Sequence, residues 1–388
     1  MTEPAAAAAD VVVIGGGLIG LGAAWRLAQR GLAVTVVDPA PLSAASHVAA
    51  GMLAPVSEVR YGEEPLLQLA IESLRRYPSF VDELEQRSGL EVGLRRDGTL
   101  VVATDAGDRE ELSELHAFQA SLGLVSSILT GRECRSAEPL LSPAVQSGLL
   151  VESDHSVDNR KLGRALLTAT RQAGVRLITT RCGELIVHGG RVTGVRLEDR
   201  REVPAGVVVL AAGPWSAGID GLPPHARPPV RPVKGHILRL RATSHTPLPT
   251  RSIRGFVNGA EVYLVPRTSG ELVVGATVEE MGFDTTVRAG AVRELLRDAR
   301  AVVPLIDEFV LEETTTGLRP GSPDNAPIIG EVELDGLIVA TGHHRNGVLL
   351  TPITADLVTG LVVGETAELA ALYELCSPGR FATIGAVG

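Results

Sequence analysis

Only three cysteines occur in the 388 residues, Cys134, Cys182 and Cys376, an odd number that shares no metal-ligand spacing. Neither a disulfide framework nor a cysteine metal site is expected, and the count suits a reducing compartment. Basic excess is lacking too: 36 Lys and Arg stand against 46 Asp and Glu, a formal net charge of -10. That balance argues against nucleic acid or an anionic membrane as the main partner. No apolar run is long enough to cross a bilayer, since the best candidate, Val348 to Val363, is interrupted by Pro352 and Asp356. The opening MTEPAAAAA carries no basic region and contains Glu3, so it reads as a frayed leader rather than a signal peptide. A cytoplasmic, soluble chain is the expectation. What is present is 45% hydrophobic residues, enough for a large core and two or three domains.

The densest signal lies at Asp10 to Asp38. Val11 to Ile14 is short, β-branched and followed at once by glycine, the pattern of a buried parallel strand entering a tight turn. Gly15, Gly17 and Gly20 make G-x-G-x-x-G: the first permits the turn, the second lets backbone approach a pyrophosphate, and the third lets the helix at Leu21 to Arg30 pack close to the sheet. The helix directs its free N–H groups and positive dipole end at the phosphates. A second strand, Ala33 to Val37, ends in Asp38, whose carboxylate suits ribose hydroxyls and repels a 2′-phosphate. The element reads as dinucleotide-binding and sees only the ADP half, which NAD and FAD share.

Further segments narrow the choice. Pro41 to Pro55 is poor in bulk and ends HVAAGMLAP, as expected where backbone nears a cofactor. Leu66 to Ser88 is an amphipathic helix, Leu90 to Leu150 looks like an insertion, and Lys161 to Thr179 repeats the helix–strand design of the opening unit. VVVLAAG, ending at Ala212 and Gly213 before Pro214 and Trp215, is a second place where bare backbone can cross the nucleotide, a feature of two-dinucleotide flavoprotein folds. From Arg231 to Thr316 β patterns dominate, with EVYLVPR and ELVVGATV as a hairpin. The chain then returns through GLIVATG to a turn at His343–Gly347 and a helix from Val348, a second helix N-terminus suited to developing negative charge.

In that order GGGLIG, SHVAAGML, PVKGH, EVYLVPRTSGELVVGAT, GLRPGSPDNAPIIG and ATGHHRNGVLLTP resemble the D-amino-acid-oxidase-like flavoproteins, and within them the glycine oxidases of thiamine biosynthesis. The resemblance implies an α/β chain, α+β overall: a Rossmann-like FAD-binding domain from 1–88, 150–228 and 318–388, with an inserted antiparallel mixed-sheet substrate domain from 89–149 and 229–317. It implies that Tyr263 and Arg319 hold the substrate carboxylate with Arg345 close by, which suits a phenol donor and a planar guanidinium. Cofactor contacts are expected at Gly15, Gly17, Leu18, Ile19, Gly20, Asp38, Ala50, Gly51, Met52, Cys182, Ala212, Gly213, Trp215, His343, Arg345, Asn346, Gly347 and Val348. His343 and His344 are expected to pack or hydrogen-bond beside the cofactor, because hydride transfer from a neutral amine needs alignment more than a protein base.

Where related sarcosine oxidases attach flavin through a cysteine, this sequence has Gly317, so FAD should be non-covalent. Glu261 and Val278 stand where a histidine and a methionine would be expected. The resemblance thus implies oxidative deamination of glycine or another small amine with oxygen as acceptor, yielding glyoxylate, ammonia and hydrogen peroxide. D-Amino-acid or sarcosine oxidation is the alternative. No metal is expected, and a homo-oligomer is compatible with all of this.

Overall fold

The computed structural model of the chain describes residues 9–381 with the exception of Asn258. Most of the segment expected to be a leader, residues 1–8, lies outside the described residues. The strand Ala9–Ile14 is central to a sheet ordered Ile328–Glu331, Leu337–Thr341, Glu202–Leu210, Ala9–Ile14, Val34–Val37 and Arg176–Ile178. All neighbours are parallel except the first pair, and Cys182–His188 with Arg191–Leu197 forms an antiparallel extension on Glu202–Leu210. Both faces of the central strand are covered, which is why its sequence is continuously apolar rather than alternating. Val11 and Val13 pack with Leu21, Trp25, Leu162 and Ile353 on the helical side. Val12 and Ile14 pack with Leu185, Val195 and Leu210 on the other.

A second sheet of eight strands runs Val310–Gly321, Arg231–Arg241, Glu271–Gly275, Ala260–Pro266, Ser252–Val257, Thr99–Ala103, Ser147–Val151 and Ser127–Thr130. It is antiparallel except where Ser252–Val257 runs parallel to Thr99–Ala103. The helix Ala289–Val302 packs on one face through Leu295, Ala299 and Val302. On the other face Ile237, Val265 and Val273 meet Val48 and Ala50 of the first sheet's connecting loop. Two strands cross the expected domain borders: Ser147–Val151 and Val310–Gly321 belong to the second sheet along their whole length.

The segments expected as elements form them with small shifts. The nucleotide-loop helix is Leu18–Gln29, starting earlier than periodicity suggested because the turn glycines lead straight into its first residue. The last cofactor helix is Thr351–Val363, later than expected, because His344–Asn346 is a separate 3-10 turn and Pro352 suits the first helical turn. Among the described residues no helix is long and apolar enough to cross a membrane, and no cluster of three or more His, Cys, Asp or Glu could hold a metal.

Candidate active site between the two sheets

A cavity of about 1870 Å³ runs between the sheets, from Asp38, Cys182 and Glu198 to Tyr263, Arg319 and Arg345. Its first wall is backbone. Gly15 has φ +111, and a Cβ there would collide with the carbonyl of Ala211; a Cβ on Gly20 would collide with the carbonyl of Gly15. These contacts hold helix, strand and the Ala212–Gly213 turn too close together for any side chain. At the start of the helix Gly17 has no side chain to cap with and the first turn holds no acid; the Leu18 N–H donates to Ser46 Oγ at 3.0 Å, and no acid competes with an anion for the positive end. Asp38 is held in place by its own loop: Oδ2 accepts from the Gly16 N–H at 2.6 Å and Oδ1 from the Ala40 N–H at 2.7 Å.

Of the expected cofactor residues, Gly15, Gly17, Leu18, Ile19, Asp38, Ala50, Gly51, Met52, Cys182, Ala212, Gly213, Trp215, His343, Arg345, Gly347 and Val348 line the cavity. Gly20 and Asn346 do not. Gly20 lies behind the wall as the packing contact just described, and Asn346 is buried beneath the turn, where its carbonyl accepts from the Leu350 N–H at 2.8 Å. Among the described residues Cys182 is the lone cysteine on the cavity. Burial pushes its thiol up to about 12, so it stays protonated and is a poor nucleophile toward a cofactor. The donor set fits FAD: two glycine crossings for a pyrophosphate, a helix N-terminus with no acid in its first turn, and a cavity that continues past them to Tyr263 and Arg319.

At the opposite end Tyr263 and Arg319 project from the second sheet. Glycines make room for both: a Cβ on Gly235 would collide with the Arg319 guanidinium, and a Cβ on Gly275 with the Tyr263 hydroxyl. Arg319 Nη1 donates to the Thr277 carbonyl at 3.2 Å and to the Lys234 carbonyl at 3.5 Å, and among the described residues no carboxylate pairs with it. Burial raises the Tyr263 phenol, with the neighbouring Arg319 opposing, so it stays protonated and able to donate. A cation with no described anion of its own, beside a phenol donor, has the chemistry to take up a carboxylate.

Arg345 is differently placed. Its guanidinium is ion-paired with Glu63, and its Nε lies 3.7 Å from Glu58 Oε2. Glu58 also pairs with Arg254, Arg254 Nη2 with Glu261 Oε2 at 2.8 Å, and Glu261 Oε1 with Arg60 Nη2 at 2.9 Å. Three cations and three anions therefore alternate in one line, all but Glu63 on the cavity wall. Burial acts to raise Glu261, but Arg254 and Arg60 outweigh it and hold the carboxyl below its usual range; Glu63 is held low in the same way by Arg345. Because its charge is already matched, Arg345→Met should act on stability first. Leaving Glu63 without its cation costs about 3 kcal/mol, to be read as a lowered urea midpoint, with the KM for substrate moved less than in an Arg319 variant. An unchanged midpoint with a KM raised as far as in that variant would put Arg345 on the substrate instead.

Neither histidine of the turn is poised as a base. His343 is buried with Nε2 3.0 Å from Thr354 Oγ1, and burial lowers its pKa to about 3. His344, lowered to about 4 by burial and by Arg345 and Arg319, lines the cavity in the left-handed region at φ 46. That backbone costs about 1 kcal/mol for a non-glycine residue. Both rings are neutral in the folded chain and take up protons near pH 6.5 when it unfolds. Stability should therefore fall as pH drops from about 6.5 toward 4, with His343 contributing about 1.4 kcal/mol per pH unit. Urea titrations of the protein and of His343→Gln test this: the variant should show the shallower pH dependence, and equal slopes would mean that His343 charges in the folded state.

The sequence did not single out Gly235, Gly275, Glu58, Arg60 or Arg254. Gly235 falls in PVKGH and Gly275 in LVVGAT. A glycine inside a strand pattern signals close approach, and that signal was available. The charged residues carried none, because the loop holding Glu58 and Arg60 meets Arg254 and Glu261 of the second sheet only in the folded chain.

A dinucleotide wall, a glycine-floored arginine and a tyrosine at opposite ends of one inter-sheet cavity define a flavin-dependent oxidoreductase site. The sequence profile of the FAD dependent oxidoreductase (DAO) family matches residues 10–361, and the chain belongs to that family. It is 36% identical over 381 residues to a bifunctional ThiO/ThiG protein of Synechocystis sp., covering 96% of this chain and 54% of that protein. The chain thus spans about half the length of that bifunctional relative. It is 32% identical to hydrogen cyanide synthase subunit HcnC of Pseudomonas aeruginosa, over 93% of this chain and 94% of that one. The crystal structure of glycine oxidase from Geobacillus kaustophilus superposes with TM-score 0.84 at 33% identity, over 92% of this chain and 95% of the other.

Proposed function

We propose that the chain is an FAD-dependent amino-acid oxidase that deaminates glycine and other small amines. The observation that carries this is the Arg319 guanidinium, unpaired by any described carboxylate and set over Gly235 beside Tyr263. Arg319 would take the substrate carboxylate through two N–H donors and Tyr263 would add a third, fixing the α-carbon against the cofactor wall. Bound FAD would supply the chemistry, accepting a hydride from the α-carbon and returning two electrons to oxygen. In balance, glycine, oxygen and water give glyoxylate, ammonia and hydrogen peroxide. His343 and His344, held neutral, would leave the field at this end to the two donors.

Likeness to a ThiO/ThiG protein and to a glycine oxidase supports glycine as substrate and the imine as a precursor for the thiazole of thiamine. Glycine added anaerobically to the purified yellow protein should bleach the flavin, and in air should yield equimolar peroxide and glyoxylate. No bleaching overturns the proposal, and cyanide in place of glyoxylate would move the chain toward its HcnC relative. Val278, exposed on the cavity wall, leaves room beside the anchor for a substituent, which keeps D-alanine, D-proline and sarcosine as rival substrates. A kcat/KM series over these and glycine ranks them.

A further inference from the structure

Behind the cofactor wall lies a cluster of buried charge that this reaction does not use. Arg239 and Arg267 are 1% and 2% exposed. Glu271 is matched to Arg239, accepting from Nη1 at 2.7 and 2.9 Å. Arg267 has no carboxylate at ion-pair distance among the described residues. Its Nη2 donates to the Ala50 carbonyl and to Asn159 Oδ1 at 3.4 Å, while Nε and Nη1 are buried without partners. Burial lowers its pKa to about 10, which leaves it charged at neutral pH. A buried guanidinium so poorly satisfied is costly, and a chain keeps one where its remaining contact does something specific.

The acceptors of this cluster are almost consecutive carbonyls of one segment. Asn159 Nδ2 donates to Ser46 O at 2.8 Å and His47 O at 3.1 Å. Arg239 Nη2 donates to His47 O at 3.3 Å and Ala49 O at 3.4 Å, Arg267 to Ala50 O, and the Val157 N–H to Gly51 O at 2.8 Å. A trans peptide points its C=O and the following N–H in opposite directions. With the Ala49 and Ala50 carbonyls drawn to the rear, the Ala50 and Gly51 N–H groups face forward, where both residues line the cavity. No acceptor for either N–H occurs among the described residues. Ala50 packs in one cluster with Ile237 and Tyr263, so these donors stand at the substrate end of the cavity.

We infer that Arg267, with Arg239 and Asn159 beside it, is a positioning group that turns two backbone amides toward the cofactor and thereby favours its electron-rich, reduced form. The inference rests on the FAD reading above. Amide donors set in advance toward growing negative charge need no reorganisation when it appears, and they bind the reduced ring more tightly than the oxidised one. Arginine suits the task because its planar fork reaches a carbonyl at fixed angle and keeps its charge when buried.

The test measures FAD affinity, flavin midpoint potential and steady-state kinetics on the wild type, Arg267→Met and Arg267→Lys. In Arg267→Met the affinity for FAD should fall at least tenfold. The flavin that does bind should be harder to reduce, by about 30 mV for each tenfold preferential weakening of the reduced form. kcat for glycine should fall with KM little changed, since Arg319 and Tyr263 are untouched. Arg267→Lys keeps the charge but not the fork, and should shift the potential in the same direction by less; if the methionine variant does not fold, this variant alone decides. A midpoint potential equal to wild type in a flavin-loaded variant overturns the inference even if thermal stability has dropped, because a purely structural arginine would lower stability alone. A wild-type protein that binds no flavin would instead overturn the cofactor reading, and this inference with it.

Discussion

Arg319→Ala is expected to lower kcat/KM for glycine by two to three orders of magnitude. The guanidinium is the one cavity-facing cation at the Tyr263 end that no described carboxylate neutralises, so its charge is available to the substrate. Removing a two-point, charge-assisted hydrogen-bonded pair from a desolvated site costs about 3–4 kcal/mol, and each 1.4 kcal/mol is about tenfold. The defect should fall on KM and kcat together, because in the proposed site the guanidinium would both bind the carboxylate and aim the α-carbon. Arg319→Lys should recover only part of it, since an ammonium supplies charge without the paired donors. Gly235→Ala offers an independent approach: its new methyl would collide with the guanidinium and should reproduce much of the defect with the arginine still present. Turnover unchanged in Arg319→Ala would remove this residue from the substrate site.

Gly20→Val should yield a protein that purifies nearly colourless, with FAD affinity reduced about 100-fold. Any Cβ at this position would collide with the Gly15 carbonyl, so the helix Leu18–Gln29 must move off the strand Ala9–Ile14. Overpacking of this kind costs about 1–3 kcal/mol, and here it falls on the turn proposed to approach the pyrophosphate. Fluorescence titration with FAD reads the affinity and thermal unfolding reads the fold. Full flavin content with wild-type affinity would show that the turn tolerates the displacement and that the close approach at Gly20 does not matter for binding.

Local signals were the ones the sequence carried well. The strand, turn and helix of the opening unit are set by neighbours within a few residues, and Val11 to Ile14 and Gly15 to Gly20 could be read directly. The same holds for the hairpin of Ala260–Pro266 and Glu271–Gly275. What stayed hidden depends on pairing at long range. That Thr99–Ala103 lies parallel beside Ser252–Val257 follows from no local pattern, since a parallel partner may be any strand far along the chain. Arg345 gave the same difficulty at the site. From sequence it is a cation next to a cofactor turn; only the approach of Glu58 and Glu63, nearly three hundred residues earlier, shows its charge to be matched. Asp38 illustrates the intermediate case, placed correctly at the end of its strand but also clasping the Gly16 and Ala40 amides of its own loop.

The alternating line of Glu63, Arg345, Glu58, Arg254, Glu261 and Arg60 bears on how this pocket can be altered. Its members come from three stretches of chain, and each inner residue serves two neighbours of opposite sign. Replacing Arg345 or Glu261 alone leaves an end member, Glu63 or Arg60, without its partner, whereas replacing Glu58 or Arg254 leaves each neighbour one partner. Reshaping this wall for a larger substrate would thus proceed most safely by exchanging an acid and a base in the same step. Change at the buried end, Glu63, Arg345 and Glu58, should therefore come in couples, while the half-exposed Arg60–Glu261 end should accept single replacements.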